Sequence, residues 1–166
     1  YPASSRIEAE MIRRMNIFTA GFLNVIVKEA ARLRAGRDRS YDSTLDWLRR
    51  GKGLKSEGIE AFFRAVHPTD FTGFFPKNPL LAEMLSKITV PCSILTNSWA
   101  QHARNVTDYL EISGYFENIF DLVFNNYKGK PNLSAFENVL KVLDLDPAEV
   151  LFIDDIPRFT EVFRSI

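Results

Sequence analysis

The sequence has few residues that could form disulfides or bind metal ions: its 166 residues include one cysteine and two histidines. Its formal net charge at pH 7 is zero. A single cysteine, Cys92, cannot form a disulfide within the chain, and its apolar neighbours predict a buried strand position. This favours a reducing compartment, so we expect a cytoplasmic protein. Lys and Arg together number 21, as do Asp and Glu, so no net field draws the chain to nucleic acid or to an anionic membrane. We expect neither as a partner.

Long apolar runs are also missing. No run approaches the ~18 residues that a membrane-crossing helix needs, and the first residues do not follow the basic-then-apolar pattern of a signal peptide. We therefore expect a soluble protein without a membrane segment. A chain of this length accommodates one core, or a small core with an inserted lobe.

Helical spacing of apolar residues marks the first part of the chain, from residue 1 to 77. One apolar stripe consists of Ile7, Met11, Met15, Phe18 and Phe22. Its spacing predicts an amphipathic helix. Three more helices are predicted, at Lys28–Arg37, from Ser43 as the N-cap to a stop at Gly51 and Gly53, and at Ile59–Val66. Because no strand pattern occurs here, we predict a helical bundle with aromatic side chains in its interior.

The second part, from residue 78 to 166, alternates helical segments with short β-rich runs. The predicted helices are Leu80–Ile88, Gln101–Ile112, Leu133–Leu143 and one near Phe159, and the predicted strands are Cys92–Thr96, Leu122–Phe124 and Val150–Ile153. Such alternation is typical of an α/β fold with a parallel, Rossmann-like sheet. Ligands of such sheets bind beyond the carboxyl ends of the strands.

Polar residues follow the first of these strands, at Thr96, Asn97 and Ser98. A hydroxyl and successive backbone N–H groups between a strand and a helix suit an anion such as phosphate. The alternative is that one of the three side chains only caps the following helix. The segment alone does not decide between these interpretations.

A second polar segment is Lys128-Gly129-Lys130-Pro131. Proline disfavours the helical conformation of the preceding residue, so Lys130 is expected to stand in an extended loop. Its ammonium could then neutralise a phosphate and an acidic nucleophile together. The alternative is a solvated surface lysine, which is our expectation for Lys128.

The third polar segment is Asp154-Asp155, at the end of an apolar run. Two adjacent carboxylates repel each other unless a cation is near. Magnesium prefers one or two carboxylates together with waters and substrate phosphate. The pair therefore predicts a metal site, and the alternative is an N-cap for the helix near Phe159.

The order of these segments resembles the haloacid dehalogenase superfamily of hydrolases, whose later motifs are a Thr or Ser after an apolar strand, a Lys, and an acidic pair after another strand. Its first subfamily carries a helical cap inserted ahead of the Thr motif, as residues 1–77 would be. More narrowly, the sequence is similar to the pyrimidine 5'-nucleotidase-like branch, on Tyr1-Pro2, Thr96-Asn97 with His102-Ala103, Lys130-Pro131 and Phe152-Ile153-Asp154-Asp155.

The resemblance implies a magnesium-dependent phosphatase that cleaves a small phosphomonoester, a nucleotide being one candidate, through an aspartyl-phosphate. Thr96 and the Asn97 backbone would bind a phosphate oxygen, and Lys130 would bridge the phosphate and the nucleophile. Asp155 would bind Mg²⁺ directly and Asp154 through water or from further out. The cap would select the leaving group.

The resemblance also implies that the nucleophile is missing from this sequence. The family's first motif, Asp-x-Asp-x-Thr on the first core strand, normally precedes Leu-Tyr-Pro in this branch, whereas the sequence begins at Tyr1-Pro2. At the other end, Ile166 stands where relatives continue into another strand. We therefore expect a core that is incomplete at both ends and that is inactive by itself.

One departure from the family pattern follows the acidic pair. Ile156, Pro157 and Phe159 stand where relatives often have Ser, a small residue and Asn. The residues that orient the direct metal ligands are therefore expected to differ from those of the family pattern.

Two rival functions share parts of this pattern. A phosphorelay receiver domain also combines an acidic pair, a Thr or Ser and a Lys on a parallel sheet, but its acidic pair comes first, whereas here it comes last. The second rival is a binding or interaction module that keeps the fold without catalysis, and the sequence leaves this alternative open.

Overall fold

The structure is a computed structural model that describes residues 5–166. Tyr1-Pro2 lies outside the described residues. The chain divides into two compact units, the first ending at Asn78 and the second comprising Pro79–Ile166. No helix within residues 5–166 is long and apolar enough to span a membrane.

Unit 1 is helical throughout its described residues. Its helices are α1 (Ile7–Leu23), α2 (Val27–Ala35), α3 (Thr44–Asp46), which runs on as a π-helix (Trp47–Gly51), and α4 (Ser56–Val66). All four predicted helices are present. Helix α1 packs against both α2 and α4, and Leu48, Phe62 and Val66 are buried between the elements of this unit.

The start of α3 follows the predicted cap. The Ser43 hydroxyl accepts a hydrogen bond from Asp46 N at 3.1 Å, which satisfies one of the donors that a helix start leaves open. The buried Asp46 carboxylate pairs with the Arg50 guanidinium one turn later, and this contact lowers the pKa of Asp46. The π-helix then ends at Gly51, and Gly53, at φ +76°, turns the chain into the next segment.

The burial of His67 predicts that unit 1 loses stability in mild acid. The side chain is buried, and its Nδ1 lies 3.0 Å from Phe63 O. Burial lowers the pKa of His67 from its ordinary value of 6.5, partly opposed by that carbonyl. The unfolded chain therefore binds a proton more readily, so the free energy of unfolding is expected to fall as the pH decreases through about 6.5.

Urea unfolding at pH 7.5 and at pH 5.5 measures this effect. His67→Gln keeps a polar group beside Phe63 and removes the titration, so the difference between the two pH values is expected to shrink. An equal pH dependence in the variant would contradict the role given to His67.

Unit 2 contains a parallel pair of strands, β1 (Ser93–Leu95) and β2 (Asn118–Phe120). Its helices are α5 (Pro79–Leu85), α6 (Ala100–Tyr109), α7 (Leu133–Leu143) and α8 (Pro157–Phe163). Leu95 lies opposite Phe120, and Thr96 N extends the pairing by donating to Phe120 O at 2.9 Å. The predicted α/β fold with parallel strands is confirmed. More of the described residues lie in helices than in strands.

Two strand predictions in this region were wrong in detail. The predicted strand Leu122–Phe124 forms a turn, and the observed β2 lies just upstream. The reason is Asp121, whose carboxylate accepts from Phe124 N at 2.8 Å and folds the chain back. Cys92 lies just before β1 and is half-buried, so its prediction as a buried strand residue was also wrong.

The predicted strand Val150–Ile153 pairs with no strand in residues 5–166, although Val150 itself has extended backbone dihedrals. A strand needs a hydrogen-bonded neighbour, and none of the backbone N–H groups of residues 151–155 donates to a described residue. Leu151 and Ile153 are 85% and 79% exposed. Phe152, on the opposite face, packs edge-on against Phe136 at 5.2 Å between ring centroids.

Candidate functional site

The loop after β1 presents hydrogen-bond donors. Thr96 Oγ1 accepts from Ser98 N at 3.0 Å, which leaves the hydroxyl hydrogen to donate elsewhere. Asn97 is exposed, and its backbone N–H donates to no other residue within 5–166. One hydroxyl and one N–H group are therefore available to an anion at this turn.

Helix α6, which follows this loop, is capped by a residue distant in sequence. Its N-cap, Trp99, makes no side-chain capping bond. The buried Asp121 carboxylate instead accepts from Ala100 N at 2.9 Å, in addition to its bond from Phe124 N. The alternative that Thr96, Asn97 or Ser98 serves only as the cap of α6 is therefore wrong. The sequence analysis missed Asp121, although an acidic residue directly after the apolar pair Ile119-Phe120 was a usable signal.

Lys130 stands in the loop before α7 with its side chain only 10% exposed. Its Nζ donates to Asp154 Oδ2 at 2.6 Å. The same nitrogen lies 5.5 Å from the centroid of the Phe152 ring and 5.3 Å from that of Phe159, within range of cation–π attraction. The alternative of a solvated surface lysine is wrong for Lys130, whereas Lys128 is exposed as expected.

Asn97 joins this loop to the loop after β1. Its Oδ1 accepts from Lys130 N at 2.7 Å, and its Nδ2 donates to Lys130 O at 2.7 Å. The sequence analysis gave Asn97 a role through its backbone alone and did not identify this role of its side chain. Two loops 33 residues apart are thereby fastened to each other.

The two carboxylates of the acidic pair differ in their surroundings. Asp154 is 9% exposed in its side chain, and besides Lys130 it accepts from Ile156 N at 3.0 Å through Oδ1. Asp155 is exposed and makes no hydrogen bond or ion pair through its side chain to any residue that the structure describes. Helix α8 has Ile156 as its N-cap without a side-chain capping bond, so the alternative that the pair serves as a helix cap is wrong.

The donor set is compatible with a magnesium ion, although no group of three or more His, Cys, Asp or Glu side chains comes together within residues 5–166. Magnesium retains several waters and uses one or two carboxylates together with phosphate oxygens. Asp155 offers a carboxylate with both oxygens open, and Asp154 is already neutralised by Lys130. The chemistry of these residues fits one direct protein ligand with a paired carboxylate beside it.

Direct contacts therefore bring together three of the five residues predicted from the sequence: Asn97, Lys130 and Asp154. Thr96 and Asp155 are their neighbours along the chain, and neither is hydrogen-bonded to Lys130 in the described part of the structure. Phe159, which departs from the expected pattern, contacts the ammonium through its ring. The arrangement offers one fixed cation, two neutral donors and one unengaged carboxylate.

Comparison with known protein families gives a match to one family model. The model is described as a hydrolase, the haloacid dehalogenase-like hydrolase, and it matches residues 18–158. The matched range extends over most of the chain and includes all five predicted site residues.

Proposed function

The chain belongs to the haloacid dehalogenase-like hydrolases, and on this premise we propose that it forms the greater part of a magnesium-dependent phosphatase for small phosphomonoesters. The observation that carries the proposal is the nearly buried Lys130 ammonium, fixed at 2.6 Å from Asp154 in the loop fastened to Thr96-Asn97. A fixed cation of this kind is what phosphoryl transfer requires, since its catalysis consists of positioning and electrostatic stabilisation.

Each available donor has a place in this proposal. The Thr96 hydroxyl and the Asn97 N–H donate to an oxygen of the phosphate that is not transferred. Lys130 uses one of its three N–H donors on Asp154, so two remain for a phosphate oxygen and for an acidic nucleophile. The paired Asp154 carboxylate keeps the ammonium at one position while the substrate binds.

Asp155 is the proposed direct ligand of Mg²⁺, because its carboxylate is exposed and unengaged by other described residues. When bound there, the ion would neutralise negative charge on the phosphate oxygens. Asp154 would support the site from further out, since both of its oxygens already accept hydrogen bonds.

The nucleophile is proposed to come from outside the 166 residues. The sequence contains no Asp-x-Asp-x-Thr segment, and the mechanism that the resemblance implies needs an Asp carboxylate to attack phosphorus and form an aspartyl-phosphate. The 166-residue chain alone is therefore expected to bind phosphate or Mg²⁺ without hydrolysing phosphomonoesters.

A fusion tests the proposal, by placing an apolar strand that ends in Asp-x-Asp-Asn-Thr-Leu ahead of Tyr1. The fusion is expected to release phosphate from p-nitrophenyl phosphate in the presence of Mg²⁺, and removal of the ion with EDTA is expected to abolish the release. A pyrimidine nucleoside 5'-monophosphate assayed in parallel tests the narrower resemblance. The matched control has Asn at the first Asp of the added motif and is expected to be inactive.

A folded fusion without turnover in the presence of Mg²⁺ would contradict the phosphatase. If such a fusion still binds inorganic phosphate in a calorimetric titration, the result would favour the non-catalytic binding module.

A further inference from the structure

The backbone of Lys130 is held by a side chain and not by a strand. Lys130 belongs to no helix or strand, yet its N–H and C=O both end on the Asn97 amide, each at 2.7 Å. The amide thereby takes the place of the neighbouring backbone that would hold a strand residue. Because Asn97 directly follows Thr96, one short turn determines the positions of both phosphate-binding candidates.

Gly129 provides the space for this amide. A Cβ atom at Gly129 would lie 2.3 Å from Asn97 Oδ1 and 2.7 Å from its Cγ, which is closer than real Cβ contacts allow. Within the loop, Gly129 O accepts from Asn132 Nδ2 at 2.7 Å, a bond that links Gly129 to the N-cap of α7. Any side chain at position 129 must therefore displace the amide.

We propose that Asn97 is a positioning residue, whose side-chain amide sets the location of the Lys130 ammonium and for which Gly129 leaves the room. The proposal rests on the phosphatase function proposed above and adds a determinant of its rate. At its tip, Lys130 is held by Asp154 and two aromatic rings, so a displaced backbone must either break that ion pair or move the ammonium. A displacement of about 1 Å near the reacting groups costs up to about 100-fold in rate.

Chemical labelling tests the positioning on the 166-residue chain without any need for activity. A limiting amount of an amine-acylating reagent is applied, and the modification of each lysine is quantified by mass spectrometry of the peptides. Lys130 is expected to be protected and the exposed Lys87 to be reactive. Asn97→Ala removes both hydrogen bonds and is expected to raise labelling of Lys130 roughly 10-fold while that of Lys87 stays unchanged.

The matched control is Asn105→Ala. Asn105 lies on α6, and its Oδ1 accepts from Gln101 Nε2 at 2.9 Å; among the described residues it makes no hydrogen bond to either loop of the site. Its replacement is expected to leave the labelling of Lys130 unchanged.

A double-mutant cycle separates positioning from general loosening of the fold. Gly129→Ala is expected to expose Lys130 by pushing the amide aside, but to add less when Asn97 is already Ala. The two closest atoms are then gone, and Leu122 Cδ1, at 3.0 Å, still crowds the new Cβ. The second variant also keeps the test valid if Asn97→Ala fails to fold. Additive effects of the two substitutions, or unchanged labelling of Lys130 in folded variants, would overturn the proposal.

The kinetic test uses the fusion defined above. Asn97→Ala is expected to lower kcat about 10- to 100-fold with a smaller change in KM. A misplaced ammonium stabilises the transition state less well, while substrate binding is less affected. Increased labelling of Lys130 with unchanged kcat would overturn the link to the rate. An inactive parent fusion would reject the phosphatase, whereas the labelling cycle would still decide whether Asn97 positions Lys130.

Discussion

Asp155→Asn is expected to raise the Mg²⁺ concentration needed for half-maximal activity of the fusion by about 10- to 100-fold or more, since even indirect supports of a metal have effects of that size. The exposed side chain makes no hydrogen bond or ion pair to a described residue that the substitution could break. The free energy of unfolding should therefore change by no more than about 0.5 kcal/mol. Activity against Mg²⁺ concentration and urea unfolding measure the two effects.

Asp154→Asn, one residue earlier, is expected to have its larger effect on the free energy of unfolding and its smaller effect on the Mg²⁺ requirement. It leaves the nearly buried Lys130 ammonium without its counter-charge, and breaking a buried pair from one side costs about 3 kcal/mol or more. Equal effects of the two substitutions on stability would contradict the division of the acidic pair into an ion-pair member and a metal ligand.

Lys130→Met is expected to reduce kcat of the fusion by about 100- to 1,000-fold, the usual cost of removing one fixed charge or donor from a reacting centre. The methionine keeps an apolar stem between Phe152 and Phe159. It leaves the Asp154 carboxylate with Ile156 N as its remaining partner among the described residues. Unfolding should accordingly become easier by about 3 kcal/mol.

The matched control is Lys128→Met, in the same loop but exposed. It is expected to change the free energy of unfolding by no more than about 0.5 kcal/mol and to leave kcat unchanged. A wild-type kcat in the Lys130 variant would remove the central support of the proposed function.

The helices could be predicted from the sequence because their signal is local. Apolar residues at helical spacing indicated all four helices of unit 1, and Leu133–Leu143 was predicted with its observed ends. The strands were harder to predict from the sequence, since a strand exists only where a neighbouring strand pairs with it. Leu122–Phe124 has the right composition, but its turn depends on the Asp121 carboxylate, which no periodicity reveals.

The site divides in the same way. Residue types and their order along the chain indicated Thr96 and the acidic pair, which follow apolar runs, and Lys130, which precedes a proline. Spacing could not show that Lys130 is nearly buried, or that one amide spans 33 residues to hold it. The position of the Phe159 ring beside the ammonium could not be predicted either, since the sequence shows only that Phe159 departs from the family pattern.

The unpaired segment from Val150 to Ile153 affects how the chain behaves in concentrated solution. Exposed apolar side chains next to main-chain N–H groups that pair with no described residue form a template on which another molecule can add a strand and start an aggregate. The exposed Asp155 carboxylate at its end counteracts this, because stacking identical copies in register brings like charges face to face. Asp155→Asn should therefore make the chain precipitate at lower protein concentration.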